Sequence, residues 1–240
     1  QTILKIISPL PEEKQRVEKT KDILVRTIES EFADYPSRVK VKVIGSAATG
    51  NFLSGYRDID CLMIFDKFER YNFRNKFLGM NGFNVDGFAN NPRIVKDKIN
   101  GTYNYFSISV GVTTTDRKRE DHLDADMLYH PDFTLEHLTE EQRPEVLLTK
   151  QFLKNIGLYG AKIGGFAVEQ IIAYYREFSQ FLDELSNGKN IFIDYSKKYN
   201  GVNGPMVISY PYCGKDNLVS KVTEGDLNIM KEYALRIKIN

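Results

Sequence analysis

Residues 58–65, Asp-Ile-Asp-Cys-Leu-Met-Ile-Phe, constrain the fold of this chain more than any other stretch. After Asp60 the run is nearly continuous in apolar residues, so a strand built from it needs cover on both faces and belongs near the centre of a sheet. Yet it opens on two aspartates one residue apart, and residues i and i+2 of a strand share a face. Two neighbouring carboxylates repel, and one takes up a proton unless a cation sits between them. A Mg²⁺ ion accepts a few protein oxygens and leaves its remaining positions to water and phosphate. The pair Asp58 and Asp60 therefore suits metal-assisted phosphoryl or nucleotidyl transfer. The turn before it supports that reading. Residues 38–43 alternate Val39, Val41 and Val43 with Arg38, Lys40 and Lys42, a strand with one buried face. It runs into Gly45-Ser46 and a short helical piece, where free backbone N–H groups and a hydroxyl can hold a phosphate.

The rest of the chain supplies a frame for this strand. Residues 11–32 place Val17, Ile23, Leu24, Ile28 and Phe32 at helical spacing, with Pro11 at the first turn and Glu12-Glu13 beside the positive helix end. Residues 66–80 read as helix, 83–89 and 102–113 as strands, and the charged run 116–121 as a solvated loop. From about residue 122 helices take over. Thr139 caps a segment with Leu147, Leu148, Phe152 and Leu153 on one side, ending at Gly157 or Gly160. Residues 164–185 read as one long apolar helix, "NIFIDY" and "PMVISY" as short strands, and the last sixteen or so residues as a closing helix. The expected division is an α/β domain over 1–135 and a mainly helical domain over 136–240.

Bulk properties narrow the function. The chain has 240 residues, 42% hydrophobic and 27% charged, ordinary for a globular protein. A net charge of +1 does not argue for tracking a long polyanion by electrostatics alone. No apolar run approaches a membrane span, and no membrane partner is expected. The first residue is Gln rather than Met, so a trimmed start is expected. Cys61 and Cys213 are far apart without ligand-like spacing and read as reduced, which suits the cytoplasm. His122, His130 and His137 pair with no cysteine, so zinc is not expected.

The stretch "GSAATGNFLSGYRDID" resembles the signature of the polymerase-beta-like nucleotidyltransferase superfamily, Gly-Ser followed some ten residues later by Asp/Glu-x-Asp. "ISPLPEEKQRVE", "VLLTKQFLKNIGLYGAKIGGFAVEQIIAYY" and "YPYCGKDNLVSKV" narrow the resemblance to the archaeal type of tRNA CCA-adding enzyme, over residues 5 to 222 or so. The resemblance implies an α+β fold, a mixed nucleotidyltransferase sheet with helices, followed by a mainly helical substrate-binding-like domain that completes the nucleotide cleft. It implies transfer of NMP from ATP or CTP to an RNA 3′ end such as tRNA, releasing pyrophosphate, with Mg²⁺ in a two-metal site. By position, Gly45 and Ser46 would hold the triphosphate, Asp58 and Asp60 the metals, and Lys150 and Tyr159 would reach the triphosphate from the second domain. His130 falls near a family histidine that contacts nucleotide.

Two departures stand out. The superfamily uses a third carboxylate on a later strand to orient metal and act as base, and the matching position here is Ser109. A serine hydroxyl is neutral and a poor base. Asp86 is the strand-borne acid nearby, and Asp116 lies past the strand end. The family also carries body and tail domains that grip the tRNA acceptor stem, beyond what these residues match. A catalytically silent relative that binds nucleotide, RNA or a protein partner is therefore the alternative, with an oligoadenylate-type nucleotide synthetase a third option.

Overall fold

The computed structural model describes residues 2–35, 38–55, 58–65, 84–86, 93–95, 107–114, 123–199, 201, 204–212 and 217–239. They fall into two compact units, Pro9–Pro131 and a helical unit made of Gln1–Ser8 with Asp132–Asn240. Residues 1–8 thus group with the helical unit rather than with the α/β front. Helix α1 (Thr2–Ile7) packs on a helix of that unit, and Ile7 is buried.

The front unit begins with α2 (Pro11–Glu31), whose Val17, Leu24 and Ile28 are buried. Pro11 starts the helix, and the Glu13 carboxylate accepts the Leu10 N–H at 2.8 Å. The chain then forms β1 (Val39–Ile44), the five-residue α3 (Gly45–Thr49) and β2 (Asp58–Phe65). Further strands are β3 (Asn84–Asp86), β4 (Arg93–Val95) and β5 (Ser107–Thr114). The sheet order is β1-β2-β5-β4-β3. Strand β2 pairs antiparallel with β1 and parallel with β5, so the sheet is mixed, as expected. Ile59, Cys61, Leu62, Met63 and Phe65 are all buried, the central position that the apolar run requires. One face packs under α2 in a core that includes Leu24, Ile28, Phe32, Ile59, Met63 and Phe65.

The helical residues expected over 66–80, the loop at 116–121 and Cys213 lie outside the described residues. Among the described residues no helix is long and apolar enough to cross a membrane.

The unit border falls within α4 (Leu123–His137), at Pro131. A 3₁₀ turn (Glu140–Gln142) follows, capped as expected by Thr139, whose N–H is accepted by Gln142 Oε1 at 3.0 Å. It leads into α5 (Arg143–Asn155), which ends before Gly157, a left-handed residue at φ 74°.

The single helix expected over 164–185 is two, α6 (Gly165–Tyr175) and α7 (Phe178–Ser186). The chain breaks at Arg176, φ 69°, where polar side chains satisfy the freed backbone groups. Glu145 Oε2 accepts the Phe178 N–H at 2.9 Å, and Gln142 Nε2 donates to the Arg176 carbonyl at 3.2 Å. Apolar periodicity runs through the break, so it could not reveal it.

Strands β6 (Ile191–Ile193) and β7 (Met206–Ile208) pair in parallel, and α8 (Glu224–Ile239) closes the chain. Asn217 lies in the "YPYCGKDNLVSKV" segment and works structurally. Its amide donates to Met206 O at 2.9 Å and accepts the Ile208 and Val219 N–H groups at 3.0 and 3.1 Å. Asp226 accepts from Thr223 N and Oγ1 at 2.8 and 2.6 Å and pairs with Lys162. Those bonds, above all the one from Lys162, hold its carboxyl down to about 2. The core of this unit gathers Val146, Leu153, Val168, Ile171, Phe181, Ile193, Ile208 and Met230.

Candidate nucleotide site

The antiparallel register of β1 on β2 sets Ile44 opposite Asp60, so the turn after β1 begins beside the aspartates. Gly45 takes φ 65°, in the left-handed region where a side chain is strained. A Cβ there would stand only 2.7 Å from Asp60 Oδ2. Both constraints disfavour other residues, and the backbone at 45 lies against a carboxylate of β2. Ser46 follows in α3, half-buried.

Glu13 fastens the other end of this loop. Its carboxylate accepts Ser54 Oγ at 3.0 Å and Gly55 N at 2.8 Å, just before β2 begins. Burial pushes the Glu13 carboxyl up, but the bonds from Leu10, Gly55 and Ser54 outweigh it and leave it below its ordinary value. Sequence reading cast Glu13 only as a helix-start residue; its spacing from Ser54 carries no signal for the second role.

Positions 58 and 60 share one face of β2, the arrangement that a D-x-D metal site needs. Burial, with the Asp60 charge next to it, pushes the Cys61 thiol up to about 12, so it is no nucleophile at neutral pH. The parallel register places Ser107 beside Asp58 and Ser109 beside Asp60. Position 109 thus stands where the third acid was sought, and it is a serine. Asp86 does not replace it. The register runs Asp60, Ser109, Arg93, Asp86 across successive strands, three spacings or about 14 Å from Asp60. That is too far for ligands that hold a Mg²⁺ at about 2.1 Å. Asp116 lies outside the described residues.

In the helical unit, Lys150 and Tyr159 come together. Lys150 is fully buried, with its Nζ 6.0 Å from the Tyr159 ring centroid. Both approach the first residue of α6: a Cβ on Gly165 would meet Tyr159 Oη at 3.4 Å and Lys150 Nζ at 3.5 Å. Burial pushes the Lys150 pKa down, and the nearby Glu169 charge opposes that. Glu169 is itself buried and accepts Thr134 Oγ1 at 2.6 Å. Sequence reading missed Glu169, although a lone acid inside the apolar run 166–173 was a usable signal. His130 sits in α4, where burial takes its pKa down to about 3, so its imidazole is neutral at pH 7.

Residues 25–123 match the nucleotidyltransferase domain, and residues 144–238 match the second domain of tRNA nucleotidyltransferases. Both matches are to domains of nucleotidyltransferases, and together they make the chain similar to that superfamily over most of its length. Within it, the chain is similar to the CCA-adding enzyme of Saccharolobus islandicus, 27% identical over 92% of this chain and 54% of that enzyme. The CCA-adding enzyme of Pyrobaculum islandicum is 26% identical over 91% and 55%. The chain thus spans about half the length of the relatives it matches. Solved structures share the fold. The poly(U) polymerase Cid1 with its short product ApU superposes at TM-score 0.76, 14% identity, over 100% of this chain and 92% of Cid1. CdnC of E. coli MS115-1 with ATP gives 0.72 at 13% identity, over 96% and 86%.

Proposed function

We propose that the chain holds ATP or CTP as its Mg²⁺ complex and transfers the NMP to an RNA 3′ end such as that of tRNA. The observation that carries this reading is the packing of the left-handed Gly45 against Asp60 within a nucleotidyltransferase domain. Asp58 and Asp60 would hold the metal, which when bound neutralises phosphate charge as it builds on the leaving pyrophosphate. The first N–H groups of α3 have no partner within the helix, and with Ser46 Oγ they suit phosphate oxygens. The resemblance assigns Lys150 and Tyr159 to the triphosphate as well, but Lys150 is fully buried beside Glu169, so the proposal rests on Gly45, Ser46, Asp58 and Asp60. His130, neutral, would offer a hydrogen bond to the nucleotide rather than a charge.

In the reaction the terminal RNA hydroxyl attacks the α-phosphorus. The bond from that phosphorus to the bridging oxygen breaks, and pyrophosphate leaves with the electron pair. The hydroxyl proton passes to solvent, because Ser109 cannot take it as a carboxylate would. The CCA-adding relatives support RNA as acceptor.

One observation favours a second reading, binding without transfer: the residue in register with Asp60 is a serine. The test is extension of tRNA lacking its 3′ end with labelled CTP and ATP. Transfer by the unmodified protein, lost in Asp58→Ala/Asp60→Ala and raised about 10²-fold or more in Ser109→Asp, is expected from the proposal. No transfer, with Mg²⁺-dependent nucleotide affinity intact, selects the second reading. Nucleotide affinity unchanged in the double variant refutes the site.

A further inference from the structure

We infer that the described strands of the front unit build a one-metal site that takes the metal of a nucleoside triphosphate, and supply no carboxylate for the second metal position of two-metal nucleotidyl transfer. This rests on the nucleotide-holding part of the proposed function. Two metals in such sites stand about 3.5–4 Å apart and share carboxylate ligands. Among the described residues, the positions close enough to Asp58 and Asp60 to share such ligands are on β2 and the strands beside it.

The sequence in register leaves only two acids there. Strand β1 is Val-Lys-Val-Lys-Val-Ile, and β5 is Ser-Ile-Ser-Val-Gly-Val-Thr-Thr, with no carboxylate on either. The turn and helix between β1 and β2, residues 45–55, carry none either. On the far side of β5, position 109 faces Arg93 in the register, a cation rather than an acid. The next acids in sequence after these strands, Asp66 and Asp116, lie outside the described residues. Among the described residues no group of three or more His, Cys, Asp or Glu could hold a metal ion.

Two carboxylates match one divalent ion whose other positions are filled by water and triphosphate oxygens. A second ion would bring its charge to a place where the protein provides serines and a neighbouring arginine position. Position 109 is thus where one substitution separates a one-metal from a two-metal centre.

The test counts metal rather than turnover. Mn²⁺ and ATP are titrated onto the full chain, with bound Mn²⁺ counted by equilibrium dialysis and its environment read by electron paramagnetic resonance. The unmodified protein should hold one Mn²⁺ per bound ATP with an uncoupled spectrum. Ser109→Asp should hold two, magnetically coupled. Two coupled Mn²⁺ in the unmodified protein would overturn the inference and leave the nucleotide reading intact. A folded Ser109→Asp that still holds one would overturn the assignment of the gap to position 109. If no ATP-dependent Mn²⁺ binds at all, the nucleotide reading itself fails and the inference goes with it.

Discussion

Gly45 is the residue whose replacement says most about the site. Its left-handed backbone costs a side-chain-bearing residue roughly 1–2 kcal/mol, and an added methyl would collide with Asp60 Oδ2. Asp60 could escape only by moving its carboxylate away from the backbone at 45. Gly45→Ala should therefore lower stability by about that amount and weaken Mg²⁺-ATP binding tenfold or more. Urea denaturation and nucleotide titration on the same sample check both. If stability falls while affinity holds, Gly45 matters to the turn but not to the phosphate. Lys150 shows the opposite economy: a lysine with no exposed surface keeps company with an acid and a tyrosine rather than with water. Its helix spacing showed it as one polar position among apolar ones, but burial is set by what packs over it, and that cannot be read from α5 alone.

Among the elements, those made by strong local patterns were legible and those made by distant partners were not. The alternation of Val39, Val41 and Val43, the apolar run after Asp60 and the Thr139 cap each appear where the pattern puts them. The split between α6 and α7 does not follow from any local pattern. It is held by Gln142 and Glu145, more than thirty positions earlier, which supply the bonds that the break removes. Likewise, the family resemblance could name Ser109, but only the register shows it beside Asp60 and shows Asp86 three strands away. The break also leaves a mark that can be measured. Arg176 sits at φ 69° and ψ −39°, a conformation that glycine adopts with less strain. Arg176→Gly should raise stability by about 1 kcal/mol, offset in part by the 3.5 Å bond from its guanidinium to His137 O. A higher chemical denaturation midpoint at unchanged slope is the expected result.

For the whole molecule, the two hydrophobic clusters are separate, one under the front sheet and one among the later helices. Ile28→Ala should cost about 2–5 kcal/mol and Phe181→Ala about 3–5 kcal/mol. Because the two side chains belong to different clusters, the double variant should equal the sum within about 0.5 kcal/mol. A larger interaction energy in that cycle would mean that the two cores are energetically coupled. The strand order β1-β2-β5-β4-β3 has a consequence for the chain as the ribosome makes it. β5 is the last strand of this sheet to be synthesised, yet it is the one that must slot in beside β2. Until then β2 waits with an open, otherwise sticky edge, the kind that recruits neighbouring nascent chains. Asp58 and Asp60 sit at its head, so the charges that suit them to a metal in the finished protein also guard the unfinished one.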